Sequence, residues 1–215
     1  GGCSAQVRLR LNRTEVTGTK LRISISGLTG GHSGVEIDKG RGNANVLMSR
    51  ILRDAAEKAP IFIVSVEGGK KDNAIPRECL SEIIIEEDKA EAVKAAVEEA
   101  VNEIREEFAS SDADFNVTTE LSDGCSVKAV TKEDSAKAVA LIQDIDNLVE
   151  TSLNLGIISL DESGICLRFA LRSSVGVALK NLKNQIACVS KTYGGSVEFT
   201  GEYPAWEYKK DSKLR

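Results

Sequence analysis

Ile61-Phe62-Ile63-Val64-Ser65-Val66-Glu67, a glycine-bearing loop from Gly68 to Pro76, and a second apolar run over 78–86 with Leu80, Ile83, Ile84 and Ile85 decide how this chain folds. Both runs are short, rich in β-branched residues and bounded by turn residues, so both read as strands. Upstream, residues 43–58 place Val46, Leu47, Ile51 and Ala55 at helical spacing and end before Pro60, which cannot continue a helix. Ahead of that helix, residues 19–28 alternate, with Leu21, Ile23 and Ile25 on one face. Downstream, a helix from Asp88, its expected cap, to about Phe108 carries Val93, Ala96, Val97, Ala100, Val101 and Ile104. Residues 114–121 return to strand. The order after residue 18 is strand, helix, strand, strand, helix, strand, the split βαβ arrangement of ferredoxin-like folds.

The second half varies the theme. Thr131 or Asp134 opens a helix to about Asp146, and strands at 149–159 and 164–172 are joined by Asp161-Glu162-Ser163-Gly164, a hairpin signal. A helix over about 175–193 stops at Gly194-Gly195, and a strand covers 196–202. At the N-terminus, residues 5–12 alternate Val7, Leu9 and Leu11 with Arg8 and Arg10, a half-buried strand. The expected fold class is α+β, with one long, mainly antiparallel sheet and helices on one face. A ferredoxin-like half at about 18–122 is elaborated by a similar half at about 131–203, within one domain spanning 1–215. In this arrangement the loop after the first strand and the middle hairpin are expected at opposite ends of the sheet. The two would then meet only if the long loop folds back or a second subunit intervenes.

The 215 residues are 41% hydrophobic, enough for a real core. The formal charge is −5 with both signs mixed, so there is no basic patch for nucleic acid, and aromatics for base stacking are few. No apolar run reaches membrane-spanning length, and Gly1-Gly2-Cys3 does not open a signal segment. The missing initiator Met reads as trimming or as an internal piece of a longer chain. Cys3, Cys79, Cys125, Cys166 and Cys188 are odd in number with no CxxC pair, which reads as reduced thiols in a cytoplasmic protein. Ser212-Lys213-Leu214 is followed by Arg215 and so is not a peroxisomal address.

His32 is the only histidine, and no HExxH, HxD or GxSxG motif occurs, so the chain is a poor candidate for a complete metal or triad site. His32 sits in Gly27-Leu28-Thr29-Gly30-Gly31-His32-Ser33-Gly34, a backbone able to approach a ligand closely. From the local sequence its imidazole reads first as a cap in a plain surface loop, and second as a donor to a developing oxyanion. The second loop, Glu67 to Arg77, offers Asn73 as donor and acceptor and Arg77 as a carboxylate fork, or is a decorated hairpin. Glu150-Thr151-Ser152-Leu153-Asn154-Leu155-Gly156 is a polar strand that faces a ligand or solvent. Arg168 and Arg172 bind a substrate carboxylate or form surface ion pairs.

Taken in order, Gly30-Gly31-His32-Ser33-Gly34, Arg41-Gly42-Asn43-Ala44, Gly68-Gly69, Asn73-Ala74-Ile75-Pro76-Arg77, Glu150 to Gly156 and Arg172-Ser173 resemble the lid (satellite) domain of the aminoacyl-histidine dipeptidases. These Xaa-His, carnosine-type enzymes lie within the co-catalytic zinc peptidase clan. The resemblance covers nearly the whole chain, and Tyr203-Pro204-Ala205-Trp206 is similar to the stretch where such chains re-enter their catalytic domain.

The resemblance implies a peptide hydrolase whose two zinc ions sit in a separate catalytic domain, with no metal ligand in this chain, which alone is expected to be inactive. It implies His32 as the oxyanion donor, acting in cis or across a homodimer. Asn73, Arg172, Arg168 and Asn154 would contact substrate, while Gly31, Gly34 and Gly69 shape the loops. Asp38 stands where many relatives carry histidine, so no role is carried to it. The implied partners are the protein's own catalytic domain, a dipeptide and a second copy, with neither nucleic acid nor membrane. The alternatives are an amino-acid-binding regulatory domain and a purely dimerising ferredoxin-like domain.

Overall fold

The computed structural model describes residues 1–34, 36, 39–148 and 152–204. Asp38, Glu150, Thr151, the Ala205-Trp206 part of the re-entry motif and the Ser212–Leu214 tripeptide lie outside them. The strands are β1 (Gly2–Leu9), β2 (Arg13–Ser26), β3 (Gly31–His32), β4 (Phe62–Gly68), β5 (Ala74–Ile75), β6 (Cys79–Ile85), β7 (Asn116–Val130), β8 (Ser152–Asp161), β9 (Gly164–Arg172) and β10 (Ser196–Tyr203). The helices are α1 (Ala44–Lys58), α2 (Ala90–Glu107), α3 (Lys132–Asp146) and α4 (Gly176–Thr192). Eight strands form one sheet in the order β10-β1-β9-β8-β4-β6-β2-β7, every pair antiparallel. The α+β class and the long antiparallel sheet expected from the sequence hold.

The topology contains one pattern twice. In β2-α1-β4-β6-α2-β7 the spatial order β4-β6-β2-β7 is that of a split βαβ sheet. The elements β1, α3, β8, β9, α4 and β10 give β10-β1-β9-β8, the same order. The second repeat therefore takes its first strand from the N-terminus, and the first repeat is threaded between β1 and α3. The repeats join edge to edge through a short pairing of β4 with β8, Glu67 opposite Ser159 and Gly68 opposite Ile158.

Alternation builds the core. Leu21, Ile23 and Ile25 of β2, Cys3, Ala5 and Val7 of β1, and Leu167, Phe169 and Leu171 of β9 point inward. Leu47, Ile51, Val97, Ile104, Leu141, Ile145, Leu182 and Ile186 come down from the helices to meet them in one continuous cluster. Caps set the helix starts. Asn43 Oδ1 accepts from the N–H groups of Asn45 (3.0 Å) and Val46 (3.3 Å) at α1, and Thr131 Oγ1 accepts from Asp134 N at α3. Asp88 does not cap α2. It lies in a 3₁₀ turn over Glu87–Lys89, and α2 begins after Lys89 without a side-chain cap. β7 runs nine residues past the expected end at 121, because an edge strand with few inward positions needs no strong apolar alternation.

One expectation is corrected by strand direction. β2 and β4 are both antiparallel to β6, so they run the same way. Ile25 lies opposite Cys79, and Gly68 lies opposite the same residue. The loop leaving β2 and the β4–β6 hairpin thus emerge at one end of the sheet, and the first repeat brings both loops together without a second subunit.

Candidate functional site

The loop from Leu28 to Asn43 is tied down at its feet. Asp112, just beyond α2, is 2% exposed and accepts from Thr29 N (2.7 Å) and Gly42 N (2.8 Å), the two ends of the loop. Burial pushes this carboxyl up, but the N–H donors of Gly42 and Thr29 and the Ser111 hydroxyl outweigh it and hold the acid below its usual range. At the crown, His32 N–H donates to Glu36 Oε2 (3.0 Å), while Glu36 N–H returns to the His32 carbonyl (3.0 Å). Glu36 Oε1 meets Lys39 Nζ at 2.9 Å and Arg41 Nη1 at 3.2 Å, and Arg41 also donates to the Gly30 carbonyl. The hydrogen bond from the His32 amide, then that from Lys39, draw the Glu36 carboxyl down to about 2. The Gly34 N–H donates to His32 Nδ1 at 3.1 Å, so in the neutral ring the proton is on Nε2.

The hairpin loop folds against this crown. Gly31 pairs with Ile75 and His32 with Ala74 in the two-stranded β3–β5 ladder, and Ser33 N–H donates to the Asn73 carbonyl at 3.0 Å. The Asn73 side chain is exposed beside it. A groove of about 390 Å³ along the hairpin is lined by Gly69, Lys70, Lys71, Arg77 and Glu78 among others.

The second repeat supplies the platform. β8 starts nine residues before Asp161 and pairs with β4 only at Ile158 and Ser159, so Ser152–Ile157 extend past the end of β4. The loops of the first repeat rest on that overhang. Asn154 Nδ2 donates to the carbonyls of Asp72 (2.8 Å) and Ala74 (2.9 Å), and its Oδ1 accepts from Asn43 Nδ2 (3.1 Å). Ser152 Oγ donates to the Ser33 carbonyl at 2.9 Å. On β1, Ser4 Oγ donates to Asp72 Oδ2 at 2.7 Å. Two glycines are required by contact here. A Cβ on Gly69, whose φ is +72°, would lie 1.8 Å from the Gly156 carbonyl oxygen, and one on Gly156 would lie 2.4 Å from Asp72 Cα.

Arg172 closes the arrangement at the end of β9. It lies opposite Gly2 and Ser152, on the sheet face turned away from Leu171 and the helices. A Cβ on Gly34 would sit 2.8 Å from Arg172 Cδ, so the His32 loop packs directly on this side chain. The guanidinium also donates to the Tyr203 hydroxyl at 3.4 Å. His32, Gly31, Gly34, Gly69, Asn73, Asn154 and Arg172 are thus brought into one neighbourhood. Asn154 enters it as a buried clamp, 2% exposed with its amide spent on protein groups, so its influence on a ligand passes through the loop it holds. Arg168 stands apart. It is exposed opposite Gln6, four residues and roughly 13 Å along the strand from Arg172.

The sequence reading passed over Asp112, Glu36 and Asn45. Asn45 is buried and bridges the repeats, its Nδ2 donating to the carbonyls of Leu155 (3.1 Å) and Gly68 (3.4 Å). Nothing local marks Asp112, which acts 70 residues from Gly42. Glu36 bonds the His32 amide from four residues along the chain, and no sequence motif marks that bond. Among the described residues no group of three or more His, Cys, Asp and Glu is placed to hold a metal ion. Nor is any of their helices long and apolar enough to cross a membrane.

Residues 23–112 match the family described as the peptidase dimerisation domain, of M20 type. The chain is 28% identical over 219 residues to the cytosol non-specific dipeptidase of Escherichia coli (strain K12), covering 96% of this chain and 45% of that protein. The crystal structure of the aminoacylhistidine dipeptidase of Vibrio alginolyticus matches 100% of this chain and 46% of its own at a TM-score of 0.89 and 25% identity. The chain therefore spans about half the length of the relatives it matches, and the resemblance drawn from the sequence holds.

Proposed function

We propose that this relative of the M20-type dipeptidases is the substrate-covering lid of a cytoplasmic two-zinc dipeptidase acting on Xaa-His dipeptides, and that it takes part in forming a homodimer. The observation that carries the reading is the convergence of the His32 loop, the Asn73 hairpin and Arg172. They come from two repeats of one chain and meet on the helix-free face of the sheet.

The chemistry follows from the donors. Peptide hydrolysis passes through a tetrahedral centre whose oxygen carries growing negative charge, and a pre-placed N–H stabilises it more than it stabilises the ground state. His32 presents an Nε2–H held in one tautomer from the Nδ1 side. The Arg172 guanidinium is a planar fork matched to a substrate carboxylate. Asn73, exposed at the loop tip, has an acceptor and two donors for the peptide backbone. The donor set among the described residues does not fit a two-zinc site, so no step through metal is assigned to this chain. In the proposal the ions belong to the catalytic portion. Histidine at the second position is proposed from the whole-chain likeness to the Vibrio enzyme, against a relative whose name describes it as non-specific.

The test is His32→Ala in the full-length protein. Loss of one oxyanion donor lowers turnover about 100- to 1,000-fold, with metal content unchanged. Wild-type turnover in that variant removes the role. A dipeptide panel then decides specificity, and calorimetry of the isolated chain with free amino acids should show no binding. Stoichiometric binding there would instead mark a regulatory domain.

A further inference from the structure

We propose that Glu36 is the positioning residue for His32: bridged to Arg41 and Lys39, its carboxylate grips the histidine main chain and fixes where the ring points. The inference rests on the reading of His32 as the oxyanion donor and adds the element that orients it.

The need for such a device comes from the backbone. Gly30 and Gly31 have φ of +66° and +149°, conformations that only glycine adopts freely, so the chain entering His32 has little stiffness of its own. β3 is two residues long and its ladder with β5 spans only Gly31–Ile75 and His32–Ala74. Contacts from outside the strand must supply order. Glu36 and His32 exchange two bonds, carboxylate to His32 N–H and Glu36 N–H to His32 carbonyl, closing a small ring around the turn. Arg41 then spans from Glu36 Oε1 to the Gly30 carbonyl, on the other side of the histidine.

Gly31 shows how closely this clasp fits. A Cβ there would lie 2.5 Å from Arg41 Nη1 and 2.8 Å from Glu36 Oε2, so the two charged groups close over the position where a side chain would stand. Within the clasp the Gly34 N–H reaches His32 Nδ1 and selects the Nε2–H tautomer. That last bond is local to residues 32–34 and holds only while the turn keeps its shape, which is what Glu36 secures. Its carboxylate stays ionised far below neutrality, so the clasp is closed throughout the working range of a neutral hydrolase. The pairs are partly exposed, with side-chain exposures of 27% for Glu36 and 18% for Arg41, and such pairs add little to global stability. Their effect is expected in the pose of the ring.

Because His32 is the only histidine, its ring nitrogens can be observed without overlap in the ¹⁵N-labelled chain by long-range ¹H–¹⁵N correlation. At a pH where the ring is neutral, the wild type should show one protonated Nε2 and one unprotonated Nδ1. In Glu36→Ala the two shifts should move toward each other as the tautomers exchange, with the melting temperature unchanged within about 2 °C. Glu36→Gln keeps an acceptor for the His32 N–H but loses the bridge to Arg41, and its shifts should move part of the way. Wild-type ring shifts in Glu36→Ala overturn the proposal. If that variant does not fold, Glu36→Gln decides, and a wild-type spectrum there overturns it. In the full-length dipeptidase, Glu36→Ala should lower kcat about 10- to 100-fold at unchanged KM. A loosened ring with unchanged kcat supports the positioning role and sinks the reading of His32 as oxyanion donor, so the two ideas fail separately.

Discussion

Replacing Asn154 by alanine should detach the hairpin loop from the sheet and cost about 3 kcal/mol. The side chain is 2% exposed and makes three hydrogen bonds, to the carbonyls of Asp72 and Ala74 and from Asn43 Nδ2. Each such bond contributes about 1 kcal/mol net. The figure is not larger because Asn43 Nδ2 keeps the Leu155 carbonyl at 3.2 Å, and Asp72 and Ala74 are only half-buried, so water reaches the freed carbonyls. In a chain of this length that corresponds to a fall in melting temperature of roughly 6–12 °C. Urea unfolding gives the free energy, and hydrogen exchange localises it: the Ser33 amide, bonded to the Asn73 carbonyl, should lose protection before the amides of β6. Asn154→Asp sharpens the case. It preserves volume but sets a carboxylate against two carbonyl oxygens, so its pKa in the folded state is raised. The folded state then binds more protons than the unfolded one, and stability should rise as pH falls. An alanine variant within about 0.5 kcal/mol of wild type, the range of ordinary surface substitutions, or an aspartate variant indifferent to pH, would refute the clamp.

Two further outcomes are expected. The Glu36 carboxyl is held at about 2 against an ordinary 4.5, so its contribution is fully present above 4.5 and is lost as pH falls through about 2; the His32 amide proton shift should report that low midpoint, and a midpoint near 4.5 would contradict the clasp. Gly156→Ala drives a Cβ to 2.4 Å from Asp72 Cα, backbone that cannot yield like a side-chain end, and should cost about 1–3 kcal/mol in urea titrations; an unperturbed variant would show that the hairpin does not rest on β8.

The repeating strand and helix order was legible because each element carries its own period. Leu21, Ile23 and Ile25 alternate, and Val93, Val97 and Ile104 recur on one helical face, without reference to anything distant. The pairing of those elements was not, since it depends on residues far apart in the chain. β1 reads as an isolated N-terminal strand, yet it stands between β9 and β10 as the first strand of the second repeat. β3 and β5, two residues each, are too short to leave a pattern. The placing of the two loops at one end of the sheet could have been reached by direction alone. A helix that returns along the sheet between β2 and β4 forces both strands to run the same way, whatever their side chains.

The difference between Arg172 and Arg168 shows what sequence spacing cannot resolve. Both are even-numbered positions of one strand and share a face, so alternation treats them alike. The distinction is made by the offset of β8 against β4. Because Gly68 meets Ile158 rather than an earlier residue, six residues of β8 project beyond the first repeat, and β9 projects with them. Gly34, Ser33 and Asp72 come down on that projecting shelf, where they find Arg172, Ser152 and Ser4, while Arg168 lies opposite Ile157 at the inner end of the shelf. A one-residue change in this offset would present the opposite face of β8 to the loops, turning Asn154 away from Asp72 and Ala74. The register of one short strand pair therefore decides whether the histidine loop of one repeat packs against the arginine of the other.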